Sequence, residues 1–227
     1  MKITGIIVCV DFSDYLVETL PFSKSVLDDL YIITANDDQR TKELCKKTNT
    51  KFLSIPRTTP TFLKGIYINH AFDNVPHEDW FLITDADIVL PSEKIFDTSI
   101  AEKKPQCLYG VFCQYCYNYE EWIDYKDNGT IYNWKIQKRS MSIGMGAFQL
   151  FHTDHFKNRD NCRYLPWTIY VDKDNRGAIG SDKKFARSFK CRKQKLPFNI
   201  IHLDNSLNNK IHNYDGRKTE PFGRVKI

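Results

Sequence analysis

Hydrophobic and polar positions alternate along the first half of the chain in a pattern that predicts strands separated by helices. Short apolar runs predict strands at Ile3–Val10, Leu30–Thr34, Lys51–Ile55 and Trp80–Thr84. Helical spacing covers the segments between them, namely Tyr15–Leu30 (broken by Pro21), Arg40–Thr48 and Pro60–Asn74. This order is typical of an α/β protein with a mostly parallel central sheet and helices on both faces.

The pattern changes after Pro91. The run Leu108–Tyr119 is rich in aromatic residues and cysteines and predicts a strand, and Gly129–Tyr132 predicts the return arm of a hairpin or a loop edge. Further elements are predicted at Phe148–Phe151 (strand), from Asp182 to about Lys190 (helix, capped by Ser181) and at Phe198–Leu203 (strand). We therefore expect one domain over 1–227 with a mixed or antiparallel second half: residues 1–90, residues 91–205 and a basic tail, 206–227.

The positive charge is concentrated at the C-terminal end. The chain carries a formal net charge of +5, but residues 183–227 carry +9 and the preceding residues −4. This asymmetry favours a polyanion or a phosphate near that end, although a solvated helix face and a polar tail explain it equally well. No apolar run is long enough to span a membrane. Seven cysteines, an odd number, do not suggest a disulfide framework, so we expect a reducing, cytoplasmic setting.

Two carboxylates follow the apolar strand Trp80–Thr84, in the sequence Asp85-Ala86-Asp87. The carboxyl end of such a strand is where α/β proteins bind ligands, and hard oxygen ligands at this spacing suit Mg²⁺ or Mn²⁺ bound to a diphosphate. A second match, Asp172-Lys173-Asp174, is followed by Asn-Arg-Gly and is interpreted as a solvated turn.

The chain resembles the compact, family-2-like glycosyltransferases of the GT-A fold, which use nucleotide sugars. The resemblance covers most of residues 3–203. In chain order it consists of Gly5–Asp11, Asn36-Asp37-Asp38, Lys64–Asn69, Asp85-x-Asp87, Gly146–Phe151, Gly180-Ser181-Asp182 and Ile201-His202. It implies a GT-A-like fold and transfer of a hexosyl or pentosyl group from a nucleotide diphosphate sugar, most simply a UDP-sugar, with Mn²⁺ or Mg²⁺.

The resemblance also implies roles for individual residues in donor binding. Asp11 and Asp38 would contact the nucleotide, and Lys64 its base or phosphate. Asp85 would contact the ribose or, through water, the metal, and Asp87 would bind the metal directly. For the first three residues an ordinary surface position remains an alternative.

Two more roles follow from the second half of the resemblance. His202 would give the metal a nitrogen ligand, which Mn²⁺ accepts, although a histidine beside a strand is often structural. Asp182 would be the base that takes the acceptor proton, which implies inversion; a helix-dipole contact alone also explains an acid there. The family usually has a further acid before the base, and this chain has Ser181.

The acceptor is open at this stage. A hydroxymethylated DNA base, as in some viral glycosyltransferases, would use the basic end of the chain, and in that case the enzyme would work in the host cytoplasm. A glycan is the other acceptor considered. Three basic residues after the base are candidates for contacts to phosphate or acceptor, or form a solvated face: Lys183, Lys184 and Arg187.

Other function classes have weaker support. A nucleotidylyltransferase shares the sheet and metal chemistry, but the loop after the first strand lacks its glycine-rich basic sequence. A nucleic-acid-binding protein without catalysis has no use for paired acids at a strand end. A zinc site from Cys113-x-x-Cys116 and His152-x-x-His155 is disfavoured, because strand alternation places the two cysteines on opposite faces.

Overall fold

The strands predicted for the first half are present and pair in parallel. The computed structural model describes residues 2–57, 63–92, 104–130, 132, 134, 146–157, 181–189, 191–204 and 221–223. In it β1 spans Ile3–Val8, β2 Asp29–Ala35, β3 Lys51–Ile55 and β4 Trp80–Asp85. β1 lies between β2 and β4, and β3 pairs with β2. Every residue of β1 is buried, as expected for a central strand covered on both faces.

Three helices cover the two faces of this parallel half: α1 (Ser13–Val26), α2 (Gln39–Lys47) and α3 (Lys64–Asn74). Successive β1 residues point to opposite faces, so Ile7 joins the core under α1 and α2, and Ile6 joins the core under α3. The predicted break at Pro21 does not occur. α1 runs through this residue, because Pro21 is exposed while Leu16 and Leu20 anchor the helix in the core.

The second half extends the same sheet. Its elements are β5 (Ile88–Val89), β6 (Cys107–Cys116), α4 (Tyr119–Asn128), β7 (Phe148–His152), α5 (Asp154–Lys157), α6 (Ser181–Arg187) and β8 (Cys191–Leu203). Within the described residues, eight strands form one sheet in the order β3-β2-β1-β4-β7-β6-β8-β5. β7 is antiparallel to β4 and β6, β5 is antiparallel to β8, and β6 and β8 are parallel. The predicted fold class, a mostly parallel sheet with a mixed second half, is confirmed.

Of the two predictions for Gly129–Tyr132, the hairpin arm is wrong, since none of the described residues 129, 130 and 132 belongs to a strand, whereas a loop edge fits them. A helix, α4, occupies the preceding residues; the Asn118 side chain caps its first turn by accepting from the Glu120 N–H at 2.8 Å. Gly129 ends it with φ 69°, a left-handed conformation that favours glycine. This glycine is a helix terminator, and the described residues after it, 130 and 132, belong to no strand.

The last strand is much longer than predicted. The sequence indicated a helix to about Lys190 and a strand from Phe198, whereas α6 ends at Arg187 and β8 begins at Cys191. Pro197 lies inside this strand, although proline cannot donate to a sheet ladder. In the structure this exposed residue lies where the β6–β8 register shifts, so the strand continues past it.

A disulfide joins Cys107 of β6 to Cys191 of β8, which are register partners. The expectation that the cysteines would all be reduced is therefore wrong; the partners are 84 residues apart, and their pairing depends on the sheet. Cys9, Cys45, Cys113 and Cys116 are free and buried. None of the helices in the described part of the chain is both long and apolar enough to span a membrane.

Candidate active site

Charged side chains gather at the edge of the sheet where the parallel strands end. Asp11 follows β1, Asp37 and Asp38 follow β2, Arg57 follows β3, and Asp85 ends β4. Ligands of α/β sheets bind outside the carboxyl ends of the strands, at the point where the winding reverses. That point is β1, which has β2 on one side and β4 on the other. The structure thus brings Asp11, Asp38 and Asp85 to one edge.

Arg57 ties together the loops that follow β1 and β2. Its Nη1 and Nη2 donate to the carboxylate oxygens of Asp11 at 3.0 and 3.1 Å, and its Nε donates to Asp37 Oδ2 at 2.9 Å. This guanidinium lowers the pKa of Asp37. Arg57 was not among the residues predicted from the sequence. Its position was a usable signal, because it is the first charged residue after its strand, as Asp11 and Asp37 are after theirs.

Asp38 is buried and its carboxylate is used inside the fold. Oδ1 accepts from the Thr41 N–H at 3.1 Å, which caps α2, and Oδ2 accepts from the Thr41 hydroxyl at 2.7 Å and the Thr34 hydroxyl at 3.1 Å. Oδ2 also accepts from the N–H of Asp11 at 2.8 Å. Asp11 has φ 66°, a costly conformation for a residue with a side chain. Asp38 is therefore placed to shape the Asp11 loop.

Lys64, the first residue of α3, forms an ion pair with Asp85 and donates to the Gly146 carbonyl at 2.9 Å. Its side chain is 11% exposed. Burial lowers the pKa of Lys64, but the charges of Asp85, Asp182 and Asp87 outweigh burial, so the pKa is raised. Burial also raises the pKa of Asp85. Three carboxylates therefore interact with the single ammonium group of Lys64. Their negative charges stabilise its protonated form.

Asp182, the second residue of α6, lies against Gly146, and its charge raises the pKa of Lys64. A Cβ added at Gly146 would be 2.9 Å from Asp182 Cγ and 3.0 Å from Lys64 Nζ, so only glycine leaves room for this carboxylate. Asp182 Oδ1 is buried and accepts no hydrogen bond from the described residues. A buried carboxylate oxygen without a donor is costly in an inert position, which is consistent with a group that receives a proton from a ligand.

Asp87 and His202 form a second pair in this region, where β5 meets β8. His202 Nε2 is 3.0 Å from Asp87 Oδ2. Burial lowers the pKa of His202, but Asp87 raises it by charge and hydrogen bonding, and the resulting pKa is about 9. Asp87 Oδ1 and His202 Nδ1 are buried without a partner among the described residues. The residues predicted as metal ligands are thus partly assembled: Asp87 and His202 are in contact, and Asp85 is paired with Lys64.

The donor atoms of the Asp87–His202 pair fit a divalent cation, since carboxylate and imidazole both bind Mn²⁺ and the unpartnered Asp87 Oδ1 has spare acceptor capacity. The pair does not form a complete metal site. Across the described part of the chain, no three His, Cys, Asp or Glu side chains are placed to hold an ion between them.

Three hydrogen bonds fix the backbone that carries Asp85 and Asp87. The buried Thr19 hydroxyl of α1 donates to the Ala86 carbonyl at 2.7 Å. The Thr84 hydroxyl donates to the Ala147 carbonyl at 2.8 Å, and the Leu203 N–H donates to the Asp87 carbonyl at 2.9 Å. Thr19 is another residue that the sequence did not indicate, because nothing local links a mid-helix threonine to a loop 67 residues away.

The zinc-like motifs do not converge. Cys113 and Cys116 are buried in different hydrophobic clusters, as strand alternation predicted, and burial raises their pKa values to about 12 and about 11. His155 contacts the Ser188 hydroxyl at 2.9 Å, and His152 lies 3.3 Å from an Asp154 carboxylate oxygen.

The remaining predicted contacts are on the surface of α6 or outside the described residues. Lys184 and Arg187 are exposed, whereas Phe185 and Ala186 face the core. The side chain of Lys183, the Asp172-x-Asp174 motif and most of the tail 206–227 lie outside the part of the chain that the structure describes.

Among solved structures, the mannosyltransferase PcManGT from Pyrobaculum calidifontis, in complex with GDP-Man and Mn²⁺, is similar to this chain. The TM-score is 0.52 at 10% identity, and the match covers 88% of this chain and 56% of that one. For TarS 1–349 from S. aureus, in complex with UDP-GlcNAc, the TM-score is 0.59 at 12% identity, and the match covers 100% of this chain and 62% of that one. The inositol-1-phosphate CTP transferase from T. maritima gives 0.54 at 8% identity, with 89% of each chain covered.

These comparisons confirm the GT-A-like fold and, at such low identity, show the fold alone. The chain spans about three fifths of the length of the PcManGT and TarS structures that it matches. By sequence, no protein-family model and no curated protein matches it.

We predict that Asp38→Ala lowers the free energy of unfolding by about 2–4 kcal/mol, because it removes the α2 cap and leaves buried donors unpaired. Asp37→Ala is the matched control; its carboxylate is 60% exposed, so we expect a loss below about 1 kcal/mol. Urea unfolding of both variants measures this. Equal losses would contradict the structural role of Asp38.

We predict that Gly146→Ala lowers the free energy of unfolding by about 1–3 kcal/mol, because the new methyl group overlaps the Asp182 carboxylate. Combining it with Asp182→Ala removes the overlap, so the double variant should be more stable than the sum of the two single changes implies. A double-mutant cycle by urea unfolding measures the coupling. Simple additivity would place Asp182 away from Gly146.

Proposed function

We propose that this chain is a metal-dependent glycosyltransferase that moves a sugar from a nucleotide diphosphate donor to an acceptor hydroxyl. One observation carries the proposal: the Asp85–Lys64 ion pair, the Asp87–His202 pair and the Asp182 carboxylate, whose Oδ1 is buried, lie at the sheet edge where α/β proteins bind nucleotides. The fold supports the same reading, since the PcManGT structure that shares it contains GDP-Man and Mn²⁺.

The nucleotide end of the donor would lie over β1, β2 and β3. Asp11 and Asp37 present partly exposed carboxylates there, which accept hydrogen bonds from a base or ribose, and Arg57 holds both in place. Asp38 would act indirectly, through the Asp11 backbone. We infer a UDP-sugar as the donor, and a hexosyl or pentosyl group as the part transferred.

Asp87 and His202 would hold a divalent cation, Mn²⁺ or Mg²⁺, with the donor diphosphate supplying further oxygen ligands. The cation supplies positive charge that stabilises the diphosphate as it leaves. Lys64 would keep Asp85 in position beside it, where Asp85 would contact the ribose or a water on the metal. Buried positive groups at such a position stabilise developing negative charge more strongly than they would in water.

Asp182 would act as the general base. As the acceptor oxygen bonds to the anomeric carbon, its proton passes to Asp182 Oδ1, the bond from that carbon to the diphosphate oxygen breaks, and the nucleoside diphosphate leaves. Attack and departure occur on opposite faces of the sugar, so the configuration inverts. Gly146 makes this possible by leaving space for the carboxylate next to Lys64.

Nucleotidyl transfer is the second candidate, because the inositol-1-phosphate CTP transferase shares the fold over 89% of both chains. It accounts less well for Asp182, which has no proton to remove when a sugar phosphate attacks a nucleotide. Nucleic-acid binding without catalysis accounts for neither the Lys64–Asp85 ion pair nor the Asp87–His202 pair. Both a hydroxymethylated DNA base and a glycan are compatible acceptors at this level.

We predict that Asp182→Asn lowers sugar transfer by about 10²–10⁴-fold, because the amide cannot accept the proton, while the donor dissociation constant changes less than about threefold. The assay follows release of nucleoside diphosphate from a donor panel, with methyl glycosides or a duplex containing hydroxymethylcytosine as acceptors. Asp154→Asn, another acid in the first turn of a helix, is the matched control and should keep full activity.

Two results would contradict this proposal. Full transfer by Asp182→Asn would remove the residue from catalysis. Formation of a nucleotide sugar from a nucleoside triphosphate and a sugar phosphate, without transfer to any acceptor, would favour the nucleotidyltransferase.

A further inference from the structure

A pair of stacked tyrosines adjoins the Asp87–His202 pair. The rings of Tyr115 and Tyr117 are 5.7 Å apart between centroids and inclined by 13°. Tyr115 also packs on the His202 ring, with centroids 4.8 Å apart, and the two residues are register partners in β6 and β8. Both tyrosines are partly exposed. The stack therefore extends from the partly buried Asp87–His202 pair to the surface.

The stack lies on the opposite side of Asp85 and Asp87 from the proposed nucleotide contacts. Asp11, Asp37 and Arg57 follow β1, β2 and β3, whereas the tyrosines belong to β6 and its end, three to five strands along the sheet. Cys113, two residues before Tyr115, feels the charges of Asp87 and Asp85. Alternate residues of a strand share a face, so Tyr115 lies on the face of β6 that is turned toward these acids.

We propose that Tyr115 and Tyr117 form the acceptor platform, a stacking surface for the ring of a neutral sugar. This inference rests on the proposed function and names the acceptor as a glycan. Tyrosine presents a flat apolar body with a polar hydroxyl at its edge, which matches a sugar ring with C–H groups on its face and hydroxyls around it.

The charges beside the platform favour a neutral sugar over a nucleic acid. Asp87 contacts His202, on which Tyr115 packs. Asp204 directly follows β8, and burial together with the charge of Asp204 raises the pKa of Tyr117. Carboxylates accept hydrogen bonds from sugar hydroxyls but repel phosphates. A polyanion that stacked a base on Tyr117 would bring its backbone charge to these acids.

Saturation-transfer NMR with methyl α-mannoside, methyl β-glucoside and methyl N-acetyl-β-glucosaminide, in the presence of UDP and the diamagnetic ion Mg²⁺, tests the platform. We expect saturation of the ring C–H protons of at least one glycoside with the wild type. Tyr117→Ala should weaken this binding about tenfold or more, and Tyr117→Phe should retain it because the ring face remains. Tyr125→Ala, which alters a partly exposed tyrosine of α4, is the matched control and should bind as the wild type does.

Binding of UDP is followed in the same samples, so failure of the platform is separable from failure of the proposed function. If UDP binds and no glycoside is saturated, or if Tyr117→Ala binds glycosides as well as the wild type, the platform is wrong and the donor site stands. If glycosides bind through Tyr117 but UDP does not bind to the protein, the sugar platform stands and the transferase assignment fails. Saturation of single-stranded oligothymidylate in place of the glycosides would overturn the choice of a neutral sugar.

Discussion

The site depends on one partly buried ion pair, between Lys64 at the start of α3 and Asp85 at the end of β4. Lys64 also donates to the Gly146 carbonyl, and the charge of Asp182 raises its pKa, so this ammonium group interacts with three segments that are far apart in sequence. Like charges held this close in a partly dry environment repel strongly. Without the lysine, Asp85, Asp87 and Asp182 would separate or take up protons, and the edge of the sheet would lose its shape.

The sheet divides the site into two sides. Its parallel half brings the ends of β1, β2 and β3 together, where Asp38 and Arg57 shape the loops, and its mixed half brings His202 and the stacked tyrosines to the other side. The Asp85–Asp87 turn joins these sides and is held from α1 by Thr19. Donor and acceptor would therefore approach the acids from opposite directions, as an inverting transfer requires.

The sequence predicted what local patterns encode. Short apolar runs located the strands of the first half. The apolar run before Asp85 indicated the edge of the sheet at which a ligand would bind. The partners of residues that meet only in the folded chain could not be predicted from local patterns. Nothing near Arg57 in the sequence shows that it joins Asp11 to Asp37, and nothing near Thr19 shows that its hydroxyl donates to the Ala86 carbonyl. The same limit explains the errors, since the sequence did not indicate the helix that Gly129 ends, and Cys107 meets Cys191 only when β6 and β8 pair. Asp38 was correctly placed at the edge, but its burial depends on Thr34 and Thr41.

The central claim is that this edge binds a nucleotide diphosphate sugar together with a metal held by Asp87. The most direct measurement is thermal unfolding with UDP-, GDP-, TDP- and CDP-sugars, each with and without Mn²⁺. A ligand at 100 times its dissociation constant stabilises the folded state by about 2.7 kcal/mol. The account predicts such a shift with one nucleotide only when Mn²⁺ is present, lost in Asp87→Ala and kept in Asp172→Ala, the matching change in the other Asp-x-Asp sequence. A shift that is independent of Mn²⁺ and survives Asp87→Ala, or no shift with any donor, would contradict it.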